Sequence, residues 1–125
     1  MKFYSLNNIA KDVEFSEAVV RGLAPDNGLY FPEEITALEK DFFENIENFS
    51  NSEVAFKAIR QFVSNSIPDS ELKKIIEETL CFDFPVVPIT DNISTLELFH
   101  GPTMAFKDVG ARFMARCLGY FNKDN

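Results

Sequence analysis

The chain has 125 residues, 46% of them hydrophobic and 26% charged, which is the size and composition of one globular domain and excludes a disordered, low-hydrophobicity chain. Twelve Lys and Arg stand against 20 Asp and Glu, and the resulting charge of −8 would repel a phosphate backbone, so no nucleic-acid partner is expected. No apolar run reaches the roughly 18 residues a spanning helix needs, and two isolated cysteines with a single histidine offer neither a zinc ribbon nor a His-rich metal site, so a cytoplasmic protein without a membrane partner is expected.

Phe3, Tyr4 and Ser5 read as a short extended start closed by Asn7 and Asn8. Phe15, Ala18, Val19 and Leu23 recur at helical spacing and Gly22 with Pro25 ends that helix. Pro25-Asp26-Asn27-Gly28 is a turn in which Gly28 is expected to supply a positive φ, and Leu29-Tyr30-Phe31 before Pro32 reads as a second strand. Residues 33–80 are helical by pattern: a short segment from Asp41, a helix capped by Asn51 with an apolar stripe from Val54 to Val63, and a helix with Pro68 in its first turn and Leu72, Ile75, Ile76 and Leu80 facing inward. Glu71, Glu77 and Glu78 read as a solvated face, and adjacent Glu77 and Glu78 point in different directions, which makes them poor as an acid and base pair.

At Cys81 the composition changes to Phe-Asp-Phe-Pro-Val-Val-Pro-Ile, read as an extended connector and a domain boundary, with one domain over 1–85 and a second beginning at 86–125. Thr95 to Phe99 reads as a strand, His100-Gly101-Pro102 as a turn, and Thr103 as the cap of a helix running to Phe121. The charge divides in the same way. Residues 1–99 carry 8 basic and 18 acidic side chains, whereas residues 100–125 carry four basic and two acidic ones.

On a helical wheel, Asp108, Arg112, Ala115, Arg116 and Gly119 share one narrow side of that last helix and the remainder is apolar except Lys107, whose neighbours are Ala111, Met114 and Leu118. The wheel thus aims an ammonium at protein interior. Desolvation, together with the positive end of the helix dipole, is expected to depress its pKa and make a nucleophilic amine able to form an imine with a carbonyl, either a keto substrate or the aldehyde of pyridoxal 5'-phosphate (PLP). The competing structural reading is a lysine that snorkels or pairs with a carboxylate such as Asp108. His100 is as readily a structural imidazole as a ligand contact, and Asp108 with Arg112 reads as an i, i+4 pair on the exposed side.

The run Glu97-Leu98-Phe99-His100-Gly101-Pro102-Thr103-Met104-Ala105-Phe106-Lys107-Asp108 closely resembles the PLP-lysine motif of the threonine synthase family. The resemblance extends to Met1-Lys2-Phe3-Tyr4-Ser5-Leu6, Ala18-Val19 with Gly22-Leu23-Ala24, Gly28-Leu29-Tyr30-Phe31-Pro32 and Arg112-Phe113-Met114, and is weakest between Glu33 and Leu80. It implies an α/β (α+β) chain: a mostly helical N-terminal domain with short strands, then the first βα unit of a doubly wound PLP-dependent fold. It implies a lyase that converts O-phosphohomoserine and water to threonine and phosphate, with Lys107 holding PLP as an imine and returning as a proton carrier, and Phe106 packing near the cofactor. Asp108 stays open between a capping charge and an active-site contact.

Family members continue past this length into a Ser-Gly-Asp-Thr-Gly type loop that cradles the cofactor phosphate, so a truncated, inactive chain with weak or absent PLP binding is expected. Its last helix, 103–121, is expected to be disordered, packed in a manner foreign to the family, or buried by self-association. The alternatives are a phospho-lyase acting on a related phosphorylated amino acid and a non-catalytic helical interaction module.

Overall fold

The computed structural model describes residues 1–123. The chain opens with β1 (Lys2–Ser5), whose alternation buries Phe3 and Ser5 and turns Lys2 outward. It is the central strand of a three-stranded antiparallel sheet, flanked by β2 (Val13–Glu14) and β3 (Tyr30–Pro32), in which Phe3 faces Val13 on one side and Pro32 on the other. Lys2 Nζ reaches Glu14 Oε1 across the pair at 2.8 Å. Phe3, Val13 and Ala18 make a small core under this sheet, completed by Met1, Phe15, Tyr30 and Phe62.

Helix α1 (Phe15–Arg21) follows β2 directly and stops at Gly22, whose positive φ of 72° favours glycine. The turn after it corrects one expectation. Asn27, not Gly28, takes the positive φ, at 63°. Gly28 is required for a different reason: a Cβ there would lie 2.0 Å from Ser5 Oγ. The hydroxyl of Ser5 donates to Asp26 Oδ1 at 2.7 Å, and the same carboxylate accepts the N–H groups of Ile9, Ala10 and Gly28. Four donors on one anion favour its charged form, with the Ser5 hydroxyl outweighing the cost of desolvation, so the Asp26 carboxyl is held down at about 2.

Residues 33–39 are not helical, contrary to the pattern reading, and α2 (Lys40–Glu44) is a single short helix with Phe42 buried. Helix α3 (Asn51–Val63) is capped by Ser50 rather than Asn51: the Ser50 hydroxyl accepts from the Glu53 N–H and the Glu53 carboxylate accepts from the Ser50 N–H. The sequence offers Ser followed three residues later by Glu, and that reciprocal box satisfies two orphan donors where Asn51 alone would satisfy one. Pro68 stands just before α4 (Asp69–Thr79), one residue earlier than expected.

The main core is formed by Val63, Ile67, Leu72, Ile75, Ile76 and Cys117, with Phe15, Val19, Ile59, Phe113 and Phe121 packed around it. Ile67, Leu72 and Val63 are fully buried, and each such side chain contributes about 1.5–3 kcal/mol relative to exposure. Cys117 belongs to α5 (Lys107–Phe121), so the last helix is part of this core, lying against α1 and α4.

Residues 81–99 depart furthest from the sequence reading. In place of an extended connector and a strand at 95–99 there is an antiparallel hairpin, β4 (Val86–Thr90) and β5 (Ile93–Leu96), turning at Asp91 and Asn92, with Val86 opposite Leu96 and an irregularity between Pro88 and Thr90. Pro88 is compatible with this because each strand of a two-stranded ribbon has an edge where no N–H is needed. Among the described residues these two strands pair only with each other.

Candidate cofactor-attachment site

Between β5 and α5 the chain makes a series of turns. The helix expected from Thr103 begins only at Lys107, with Phe106 at its cap position. Met104 N–H donates to the Gly101 carbonyl at 3.0 Å, Asp108 N–H donates to the Ala105 carbonyl at 3.1 Å, and Met104 sits at a φ of 52°, a left-handed value uncommon for a residue with a side chain.

The wheel assignment for α5 holds for Phe113 and Cys117, which face the core, and fails for Lys107 and Asp108. Lys107 is exposed, as are Ala111 and Met114 on the same side, so the interior position expected for the lysine is not met among the described residues. Asp108 is 2% exposed. The arginines on its side turn onto the end of α4: Arg112 Nη2 donates to the Glu78 carbonyl at 2.7 Å and to Cys81 Sγ at 3.1 Å, and Arg116 Nε pairs with Glu78 Oε2 at 2.9 Å. The carbonyls at a helix C-terminus and a nearby carboxylate attract cations, which a wheel drawn for α5 alone does not include. Glu78, read as solvated, is therefore the partner of both arginines.

Asp108 is the residue whose part the sequence left open. Its Oδ2 accepts the Thr103 N–H at 2.9 Å and its Oδ1 accepts the Thr103 hydroxyl at 2.8 Å. Thr103 thus does not cap α5; it is itself held by the first turn of α5. Burial pushes the Asp108 carboxyl up, but the Thr103 hydroxyl, the N–H groups of Thr103 and its own turn, and the attraction of Arg112 outweigh it and hold it below the usual range. Gly101 is buried against this carboxylate, since a Cβ on it would lie 2.5 Å from Asp108 Oδ2. The spacing Gly, then Thr two on, then Asp five further was the available signal.

Around the lysine the turn presents apolar groups to solvent. Met104 and Phe106 are 79% and 77% exposed and, with Leu96, Leu98, Phe99 and Ala105, line a shallow groove. His100 lies beside it, its Nε2 2.7 Å from Glu97 Oε2 and its ring centroid 4.6 Å from that of Phe99, the two rings tilted by 32°. The site therefore brings together an exposed amine at a helix start, a tightly tethered glycine turn and an apolar lip.

A small antiparallel sheet and a helical core that carry a Gly-Pro-Thr turn into a helix opening on lysine define the N-terminal region of a mixed α/β chain, the class expected from the motif. Residues 2–80 match the family described as threonine synthase N terminus, and the chain belongs to that family. It is 42% identical over 125 residues to threonine synthase of Buchnera aphidicola subsp. Baizongia pistaciae, and 33% identical to that of Escherichia coli, covering 99% of this chain and 29% of each relative. The chain thus spans under a third of the length of the relatives it matches. Among solved structures, the Escherichia coli threonine synthase superposes on all of this chain with a TM-score of 0.92 at 33% identity, covering 29% of that chain. PLP-bound threonine synthase from Brucella melitensis superposes on 97% of it with a TM-score of 0.92 at 35% identity, covering 27% of that chain. A superposition over the whole chain includes α5, so its packing on the N-terminal helices is the family's arrangement, and the expectation of a disordered or foreign placement is overturned.

Proposed function

We propose that this chain is the N-terminal part of a PLP-dependent lyase that converts O-phosphohomoserine and water to threonine and phosphate, with Lys107 as the catalytic and cofactor-attaching residue. The observation that carries this reading is Lys107 itself, an exposed amine on the first residue of α5 behind a tethered Gly101-Pro102-Thr103 turn, in a chain of the threonine synthase family.

The described residues fit one end of the cofactor. Lys107 offers a reachable amine for its aldehyde, and Phe106, with Met104 and Phe99, offers apolar surface for a flat ring. The phosphate is another matter, because the N–H and hydroxyl of Thr103 are both committed to an anion already present, Asp108. Phosphate binding is assigned to chain beyond these residues. When bound, the cofactor supplies an electron sink for a carbanion next to the amino group of the substrate. Lys107 would then be placed to move protons at Cα and Cβ of the substrate, and the apolar lip would limit water beside it.

The domain division at 85/86 belongs to the same proposal: residues 1–85 brace, and residues 86–125 begin the catalytic domain. Two unpaired cysteines, Cys81 and Cys117, are in keeping with a reducing, cytoplasmic location. Residues 1–125 alone are proposed to be inactive, because relatives in which the reaction is housed are more than three times as long.

The test is to assay the full-length protein with O-phosphohomoserine, and to reduce the PLP-loaded protein with borohydride before peptide mapping. Threonine and phosphate in equal amounts, with the label on Lys107 and both lost in Lys107→Ala, are expected. Release of phosphate without threonine would favour a phospho-lyase for another substrate, and a label on a different lysine would refute the site.

A further inference from the structure

Resting on the reading that Lys107 carries the cofactor, we propose that Asp108 is a positioning residue: its carboxylate latches the Gly101-Pro102-Thr103 turn to the base of α5 and so fixes where the Lys107 amine stands.

Asp108 is the one charged side chain among the buried described residues. Arg112 attracts it, but its two direct side-chain bonds both go to Thr103, one to the backbone and one to the hydroxyl. Burying a carboxylate for a neutral residue is costly unless those hydrogen bonds are well made. A solvent-facing hydroxyl or amide at the cap would have satisfied the helix start without that cost. The buried charge must therefore hold something that does not hold itself.

The segment between the two ends of the latch is such a thing. Met104 lies at a φ of 52°, a conformation that is unfavourable for a residue with a Cβ and persists only where the surroundings determine it. It stands between Thr103 and Lys107. With Thr103 tied to Asp108 and Met104 N–H tied to the Gly101 carbonyl, residues 101–108 form a closed loop whose two ends are fixed and whose exit is the lysine. Gly101 has no room for a side chain because Asp108 fills that space. The same geometry keeps a phosphate out of the turn, since its donors face a carboxylate. The latch itself then acts on the cofactor through the placement of Lys107 and not by holding its phosphate.

The test uses the full-length protein with Asp108→Ala, Thr103→Val and Thr103→Ser. The first readout needs no cofactor: amide hydrogen exchange over residues 101–107 of the cofactor-free protein is expected to accelerate about tenfold in Asp108→Ala, less in Thr103→Val, and to stay near wild type in Thr103→Ser, with residues 2–80 unchanged. The second is the rate at which added PLP becomes borohydride-fixable on Lys107, expected to fall in Asp108→Ala and Thr103→Val and to be restored in Thr103→Ser. Wild-type exchange in Asp108→Ala, or faster exchange with an unchanged rate of attachment, would overturn the proposal. Should Asp108→Ala not fold, the Thr103→Val and Thr103→Ser pair decides alone. A wild-type protein that never fixes PLP on Lys107 refutes the parent reading instead, and the exchange readout still judges the latch.

Discussion

The Cβ that Gly101 lacks would stand 2.5 Å from Oδ2 of Asp108. That distance is shorter than real Cβ contacts, and the atoms in the way belong to a buried carboxylate that cannot swing into solvent without releasing Thr103. Gly101→Ala should therefore behave like loss of Asp108: reduced attachment of PLP to Lys107 in the full-length protein and a loosened 101–107 segment, with the helical core intact. Gly110→Ala is the matched control, because nothing lies within 4 Å of its missing Cβ and α5 would gain about 1 kcal/mol of helix propensity. Thermal unfolding of both variants beside the attachment rate checks this. Equal behaviour of the two glycines would contradict the crowding.

Gly28 and Asn27 make a second matched pair, in which the sequence assigned the special conformation to the wrong residue. Gly28→Ala drives a methyl into Ser5 Oγ and the Asn7 N–H, 2.0 and 3.0 Å away, and should cost about 1–3 kcal/mol by overpacking. Asn27→Gly, at a φ of 63°, relieves a left-handed Asn at the expense of chain entropy and should remain within about 1 kcal/mol of wild type. Urea midpoints of the two variants distinguish them. A harmless Gly28→Ala would mean that the Ser5 to Asp26 bond is not maintained.

Elements whose signal lies in their own few residues were legible from sequence: the extended start at Phe3 to Ser5, the stop of α1 at Gly22, and the inward face of α4 at Leu72, Ile75 and Ile76 all appear as expected. What failed needed a neighbour. The turning of Arg112 and Arg116 inward depends on Glu78 at the end of another helix, and the need for Gly28 depends on Ser5 more than twenty residues earlier. The hairpin at 86–96 was hidden by two prolines that a two-stranded ribbon tolerates and a wider sheet would not. The burial argument for Lys107 is not supported by its exposed position, so the proposal for that lysine rests on the motif and not on the wheel.

Asp26 should leave a mark on acid stability. Its carboxyl titrates at about 2 in the folded protein against an ordinary 3.8, so folding favours the ionised form. The stabilisation is complete above the unfolded value, declines as pH falls from 3.8 toward 2, and is absent below that, because there both states are protonated. The difference in urea midpoint between wild type and Asp26→Asn should therefore be constant near neutrality and shrink through that interval. A difference that grows on acidification would mean the wrong sign of shift, and hence that the Ser5 hydroxyl and the three N–H groups do not converge on the anion.

Cys117 and Cys81 should separate cleanly in reactivity. Cys117 is fully buried in the core and burial pushes its thiol up to about 11, so the nucleophilic thiolate is scarce and out of reach. Cys81 is exposed. Brief treatment of the native protein with iodoacetamide should add one label, on Cys81, and denaturant should admit the second. Rapid labelling of Cys117 under native conditions would show that α5 leaves the core readily.

Residues 1–125 expressed alone should self-associate through the face that carries the 103–121 segment. Met104 and Phe106 are largely exposed, Ala111 and Met114 continue the same side of α5, and Val86, Ile89, Ile93 and Leu96 of the hairpin are exposed as well. Apolar surface of that extent on one small chain favours association, and a closed dimer is the simplest way to cover it. Sedimentation equilibrium should show mass rising with concentration. Phe106→Glu combined with Met114→Lys should return the chain to a monomer, since both changes place charge on the exposed side and neither touches the core around Cys117. In the full-length protein the same surface would be covered from within, so the two substitutions should there reduce stability rather than alter mass. A monomeric 1–125 at high concentration would refute association through this face.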